Sequence, residues 1–143
     1  MAVAYKAPVK DIVFGYEVID SYNVLNKIAA FSDFSEDVVV PTMEECAKFS
    51  EEVLAPINAI GDQQGAKIDN GVVTMPKEFV DAYKKFSDAG WASISLPEEI
   101  GGGGMPITLS GGTLEILSTA NLAFGLAPGP FSYTHLTLPT SDL

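Results

Sequence analysis

The sequence predicts an all-α domain, mainly helical and bundle-like, broken by one small hairpin. Three observations carry that prediction. From residue 42 to 57 the apolar side chains Met43, Cys46, Phe49, Val53 and Ile57 recur at spacings of three and four, which puts them on one stripe of a helix. Between Pro76 and Gly90 a second stripe holds Phe79, Tyr83 and Phe86, with a proline to open the helix and a glycine to close it. Between these two segments, Asn70-Gly71 lies between short apolar pairs, a strong signal for a two-residue hairpin turn.

Taken in order, the chain opens with an extension containing Pro8. Its stretch IVFGYEVI is compatible with either a strand or a helix, because Gly15 weakens both. Residues 21–31 predict a short helix, with Val24, Leu25, Ile28 and Phe31 at helical spacing and Asp20 or Ser21 as its cap. Thr42 and Glu45 form a capping-box pattern for the next helix, with an earlier start near Ser35 as the alternative. Pro56 is expected to end or bend that helix near Ala55. After the hairpin and the second patterned helix, WASISL reads as a brief extended piece and PEEIGGGGMP as a loop. Pro106 opens a last helix carrying Leu109, Thr113, Ile116 and Leu117, with Asn121 near its end. Gly111 and Gly112 cost this helix about 1 kcal/mol each relative to alanine, a sign of close packing against a neighbour or ligand.

Totals narrow the function classes. The 143 residues suit one ordinary domain, and 47% hydrophobic residues mark it as globular. Nineteen acidic against 8 basic residues give a net charge of −11, so nucleic acid is not an expected partner. Any anionic ligand depends on local donors. One cysteine permits no internal disulfide, and the N-terminus meets Lys6, Lys10 and Asp11 before any long apolar run. No stretch suits a membrane span, and the expected location is cytoplasmic.

Few residues suggest chemistry by themselves. Glycines 101–104 lack the Lys and Ser/Thr of a phosphate-binding P-loop, since Met105-Pro106 follow. The third glycine of a dinucleotide fingerprint is replaced by Ile107, and Glu98 and Glu99 repel phosphate. The run therefore reads as a structural turn. Glu98 and Glu99, adjacent in a loop, read as solvent-facing charge. Glu115 stands among Leu114, Ile116 and Leu117 and is either a buried pocket carboxylate or an exposed one. Cys46 lies on an apolar stripe and reads as a core residue. His135, the single histidine, has no Asp or Cys partner at a meaningful position, and no metal constellation is present.

Several stretches resemble the acyl-CoA dehydrogenase family. EECAKFSEEVLAPINAIGDQQGAKIDNGVVTMP resembles its N-terminal helical domain. AGWASISLPEEIGGGGMP resembles the family turn G-W-x-x-x-x-x-P-E-E-x-G-G-x-G, matched by Gly90, Trp91, Pro97, Glu98, Glu99, Gly101, Gly102 and Gly104. LEILSTANLAFG resembles the helix lining the fatty-acyl pocket, and YKAPVKDIVFGYEVID the N-terminal extension of one subgroup.

The resemblance implies an orthogonal, bundle-like domain at residues 35–129, an extension at 1–34 and a non-native tail at 130–143. It implies an FAD-dependent α,β-dehydrogenation of an acyl-CoA thioester, an electron acceptor that reoxidises the flavin, and a homo-oligomer. In this family the flavin is held mainly by a middle domain, and the glutamate base lies on a C-terminal one. Neither has a counterpart here, so the resemblance implies no catalytic residue and an inactive N-terminal fragment. What carries over is a pocket wall: Glu115, Ser118, Thr119 and Leu122, with Leu96 and Pro97 in the turn. SYTHLTLPTSDL resembles translated sequencing-adapter DNA. The competing expectation is a non-catalytic helical binding or scaffold module built on the same domain.

Overall fold

The structure, a computed structural model, describes residues 4–129. The tail at 130–143, with His135, lies outside the described residues.

The extension is helical. α1 spans Val9–Val18 and buries Ile12, Val13 and Tyr16, which settles the strand-or-helix alternative at Gly15. Asp20 takes a left-handed conformation (φ 55°) and separates α1 from α2, Ser21–Leu25. The helix expected over 21–31 is therefore shorter, and a 3₁₀ turn at Ala29–Phe31 completes the segment. Asp20 caps by position only: its Oδ1 accepts from Asn23 Nδ2 at 2.7 Å, not from a backbone amide.

α3 spans Glu36–Phe49, so the helix starts at Ser35 and the capping box at Thr42 does not form. Thr42 is inside the helix, and its hydroxyl donates to Val38 O at 2.7 Å. Pro41 removes one helical hydrogen bond, yet the helix persists because Val39, Met43, Cys46 and Ala47 are all buried. Pro56 does not end the helix either. A π-helical turn at Ser50–Leu54 leads directly into α4, Ala55–Gln64, where Pro56 sits in the first turn. The wider turn rotates the buried face by about one residue. Leu54 takes the core place expected of Val53, and Ile57 keeps its own.

β1 (Lys67–Asp69) and β2 (Val72–Thr74) pair antiparallel, with Ile68 opposite Val73. Asn70 (φ 49°) and Gly71 (φ 79°) form the predicted turn. α5 spans Lys77–Asp88 with Pro76 as its N-cap, one place before the position expected. Phe79, Ala82 and Phe86 are buried, whereas Tyr83 is half exposed. Gly90 (φ 77°) closes the helix.

WASISL is not extended: Trp91–Ser93 is a 3₁₀ turn, and Glu98–Ile100 is another. α6, Ile107–Ala120, is the central helix, buried at Leu109, Gly112, Thr113, Ile116, Leu117 and Ala120. It packs against α3 and the π turn. Asn121 ends it and caps α7, Leu122–Gly125, accepting from Phe124 N–H at 3.0 Å. The all-α expectation holds. The pattern underestimated the number of helices, because the extension, the segment after Pro56 and the turn after Asn121 each add one.

Candidate functional site: an apolar cavity beside the central helix

A cavity of about 300 Å³ opens between α6, the end of α5, the turn after Gly90 and α7. α6 presents Ile107, Ser110, Leu114 and Leu117 to it, a stripe at helical spacing. α5 adds Phe86, the turn adds Trp91, Ser95 and Leu96, and α7 adds Phe124 and Gly125. Exposure varies widely along the lining. Ile107 is 76% exposed, while Phe86 and Phe124 are buried with ring centres 5.6 Å apart, edge to face.

Among the described residues the lining, which also includes Pro128 and Gly129, holds no ionisable side chain. Its polar groups are hydroxyls and backbone. Thr113 Oγ1 is committed to Ser110 O at 3.0 Å, and Ser95 Oγ is buried without a hydrogen-bond partner among the described residues. Such a cavity can bind and orient an apolar group and exclude water from it, but it cannot by itself move a proton.

The glycine turn forms one wall. It folds back on residues 93–97, with Gly102 N–H bonded to Pro97 O, Gly103 N–H to Ser93 O and Gly104 N–H to Leu96 O, all at 2.9–3.0 Å. Gly101 N–H is taken by Glu98 O. No amide of the run is left for a phosphate, so the structural reading holds. The close approach requires glycine: a Cβ on Gly102 would lie 2.0 Å from Leu96 O.

Of the six residues expected to line a pocket, Leu96 lines this cavity. Pro97 borders a more open neighbouring groove with Glu98, Glu99 and Met105. Glu115 is exposed beside a shallow groove between α1 and α6, which decides its alternative in favour of the exposed reading. Thr119 is tied to the N-terminal segment, 2.7 Å from Tyr5 Oη. Ser118 is half-buried, with its hydroxyl close to Gly125, and Leu122 is exposed. The four α6–α7 residues are thus not gathered at this cavity. Its stripe lies about one residue, or 100°, around the helix from theirs. Phe86, Trp91, Ser110, Leu114, Leu117 and Phe124 escaped the sequence reading. For Ser110, Leu114 and Leu117 the only signal was the 107/110/114/117 spacing, on a helix apolar around most of its girth, while Phe86 stood on the α5 stripe and Trp91 in the family turn without pointing to a cavity.

Behind α6 the N-terminal segment acts as a strap. Tyr5 Oη donates to Ile116 O at 3.0 Å, and Tyr16 Oη donates to Thr108 O at 2.7 Å. Lys6 Nζ meets Glu51 at 2.6 Å, and Ala7 N–H meets the same carboxylate at 3.0 Å, which together hold Glu51 below the usual carboxylate range. Burial pushes Tyr16 up to about 12 and Cys46 up to about 12. Cys46 is a core residue, its thiol 3.6 Å from Thr113 O. Among the described residues no acidic, cysteine or histidine group is placed to hold a metal, and no helix is long and apolar enough to cross a membrane.

Comparison with known proteins gives two findings. The family model described as acyl-CoA dehydrogenase, N-terminal domain, matches residues 40–136. A protein of Ruegeria pomeroyi named 3-methylmercaptopropionyl-CoA dehydrogenase is 36% identical over 126 residues, 88% of this chain. The chain spans about a fifth of that relative, 21% of its length.

Proposed function

From the premise that the chain belongs to the acyl-CoA dehydrogenase family, through its N-terminal domain, we propose that it supplies part of the acyl-binding wall of an FAD-dependent, cytoplasmic enzyme that introduces an α,β double bond into an acyl-CoA thioester. In this reading residues 35–129 are the domain and residues 1–34 are an extension strapped over α6. The chain is then a fragment without activity of its own.

The observation that carries the reading is the chemistry of the cavity beside α6: apolar, partly aromatic and, among the described residues, without ionisable groups. An acyl chain needs a dry, shaped wall of this kind, while the charged coenzyme A moiety does not. The relative named for 3-methylmercaptopropionyl-CoA supports a short acyl group as the occupant.

The described residues do not fit the flavin. The amides of the glycine run are all bonded to carbonyls, and no Lys or Arg lines the cavity. The flavin and the base belong to parts of the enzyme outside these residues, and the electron acceptor that reoxidises the flavin is a separate partner. This chain's part is to hold the acyl chain and keep water away from it.

Trp91 is the single tryptophan and lines the cavity, so it reports directly on occupation. Titrating the 143-residue chain with a short acyl-CoA should shift Trp91 emission saturably, and free coenzyme A should leave it unchanged. Equal responses to both ligands, or none to either, would sink the proposal.

A further inference from the structure

We propose that the outer edge of β1 pairs with β1 of a second copy of this chain, antiparallel and centred on Ile68, so that two hairpins join as one four-stranded sheet. The inference concerns the hairpin alone and is independent of the acyl reading of the cavity.

The rest of the fold leaves the hairpin uncovered. All three residues of β1 and all three of β2 are exposed, Ile68 at 73% and Val73 at 62%. A two-stranded hairpin alone in water is marginal, and a third strand or a covering face is what stabilises one. Its backbone has room for that strand. The two-residue turn makes Asp69–Val72 a pair that exchanges hydrogen bonds, Lys67–Thr74 is the next such pair, and Ile68–Val73 between them exchanges none. The N–H and C=O of Ile68 therefore point out from the edge of β1, and those of Val73 from the edge of β2.

Charge selects the edge and identifies the partner. When β1 pairs with itself antiparallel about Ile68, the two Ile68 residues exchange both of their outward hydrogen bonds, and Lys67 of each copy stands directly opposite Asp69 of the other. Opposite charges so placed across strands attract, and like charges repel. Among the described residues neither side chain is engaged in an ion pair. The same pairing through β2 would set Val72 against Thr74, with no charge to favour it. Ile68 and Val73 share one face of the pleat, so self-pairing through β1 also lines up both residues of each copy in a single row of β-branched side chains.

Short strands and an edge lysine ordinarily discourage pairing with a foreign strand. Here they do so for any strand that lacks an acid in the matching place. A second copy carries that acid two residues from its own lysine, so the device that rejects other strands accepts this one. The contact is small and belongs with weak, transient interfaces.

The test is analytical sedimentation of the 143-residue chain at protein concentrations reaching about 1 mM, where weak contacts populate a complex. The wild type should pass reversibly from monomer to dimer. Lys67→Glu alone and Asp69→Lys alone each set like charges opposite one another at both ends of the pairing, and each should weaken dimerisation about tenfold or more. An equimolar mixture of the two variants should dimerise again, because each supplies the charge the other lacks, and so should the double variant. That recovery separates local pairing from a change in net charge. Ile68→Pro removes an outward N–H and no bond within the hairpin, so it should abolish the dimer while the helical circular dichroism persists. A wild type that stays monomeric at every concentration overturns the proposal. So does a dimer indifferent to both charge reversals, which would place the contact on another face of the chain.

Discussion

Asn121 Nδ2 donates to Leu54 O across the core at 3.1 Å, joining the helix junction α6–α7 to the π turn between α3 and α4. The same side chain accepts from Phe124 N–H. Two segments 67 residues apart in sequence are thus fixed by one amide group. Asn121→Ala leaves a buried carbonyl and a buried amide unpaired, and should cost about 2–3 kcal/mol in urea unfolding. Asn121→Asp keeps the acceptor for Phe124 and loses the donor to Leu54, so it should retain α7 yet remain destabilised. A wild-type midpoint in Asn121→Ala would show that the bridge contributes nothing.

The two adjacent glycines of α6 should respond oppositely to alanine. A Cβ on Gly112 would lie 2.4 Å from Tyr16 Oη and 2.5 Å from Met43 Cε. Tyr16 cannot retreat without giving up its bond to Thr108 O. Gly112→Ala should therefore destabilise by about 1–3 kcal/mol through overpacking. Gly111 has nothing within 4 Å and no left-handed backbone angle. Gly111→Ala should stabilise by about 0.5–1 kcal/mol through helix propensity alone. Thermal melts followed by circular dichroism decide both, and equal effects at the two positions would contradict the packing described.

The pattern of residues made some features legible and hid others for identifiable reasons. Asn70-Gly71 and Gly90 announced left-handed backbone, because few residues adopt it without strain. Thr42 misled, since its capping signature is local while the helix start at Ser35 is set by the burial of Val39 and Met43. Pro56 misled for a related reason: a π turn absorbs a proline that a regular helix rejects, and no residue pattern marks the widening in advance. The turn G-W…P-E-E-x-G-G-x-G pointed to the family, and the family model agrees. The cavity residues stayed hidden because α6 is apolar on two sides, one toward α3 and one toward the cavity. Periodicity finds such a helix but cannot choose between its faces. The strap was invisible too, since Tyr5 and Ile116 are 111 residues apart.

Acid should release the strap before the domain unfolds. Glu51 is held below its ordinary value of 4.5 by Lys6 and by the Ala7 amide. A carboxylate depressed in the folded state stabilises fully above its unfolded value, and the contribution is lost as pH falls through the folded one. The Ala7 amide should therefore be protected from hydrogen exchange near neutral pH and lose protection below the ordinary carboxylate range. In Glu51→Gln that pH dependence should vanish while the core amides of α6 stay protected. An Ala7 amide that exchanges freely at neutral pH in the wild type would refute the strap.

Cys46 should be chemically silent until the domain unfolds. Burial raises its thiol from 9.0 to about 12, and no other cysteine is present to confuse the readout. The group is favoured neutral in the fold, so its contribution is complete below about 9 and is lost as pH rises toward 12. With Ellman's reagent at about pH 8, where an exposed thiol reacts readily, the native chain should release almost no chromophore. In denaturant it should release one equivalent. The rate at intermediate urea should follow the fraction unfolded measured by circular dichroism, since Cys46 is fully buried between Met43 and Ala47 on the core face of α3. A native-state reaction as fast as that of the denatured chain would show that α3 does not pack as described.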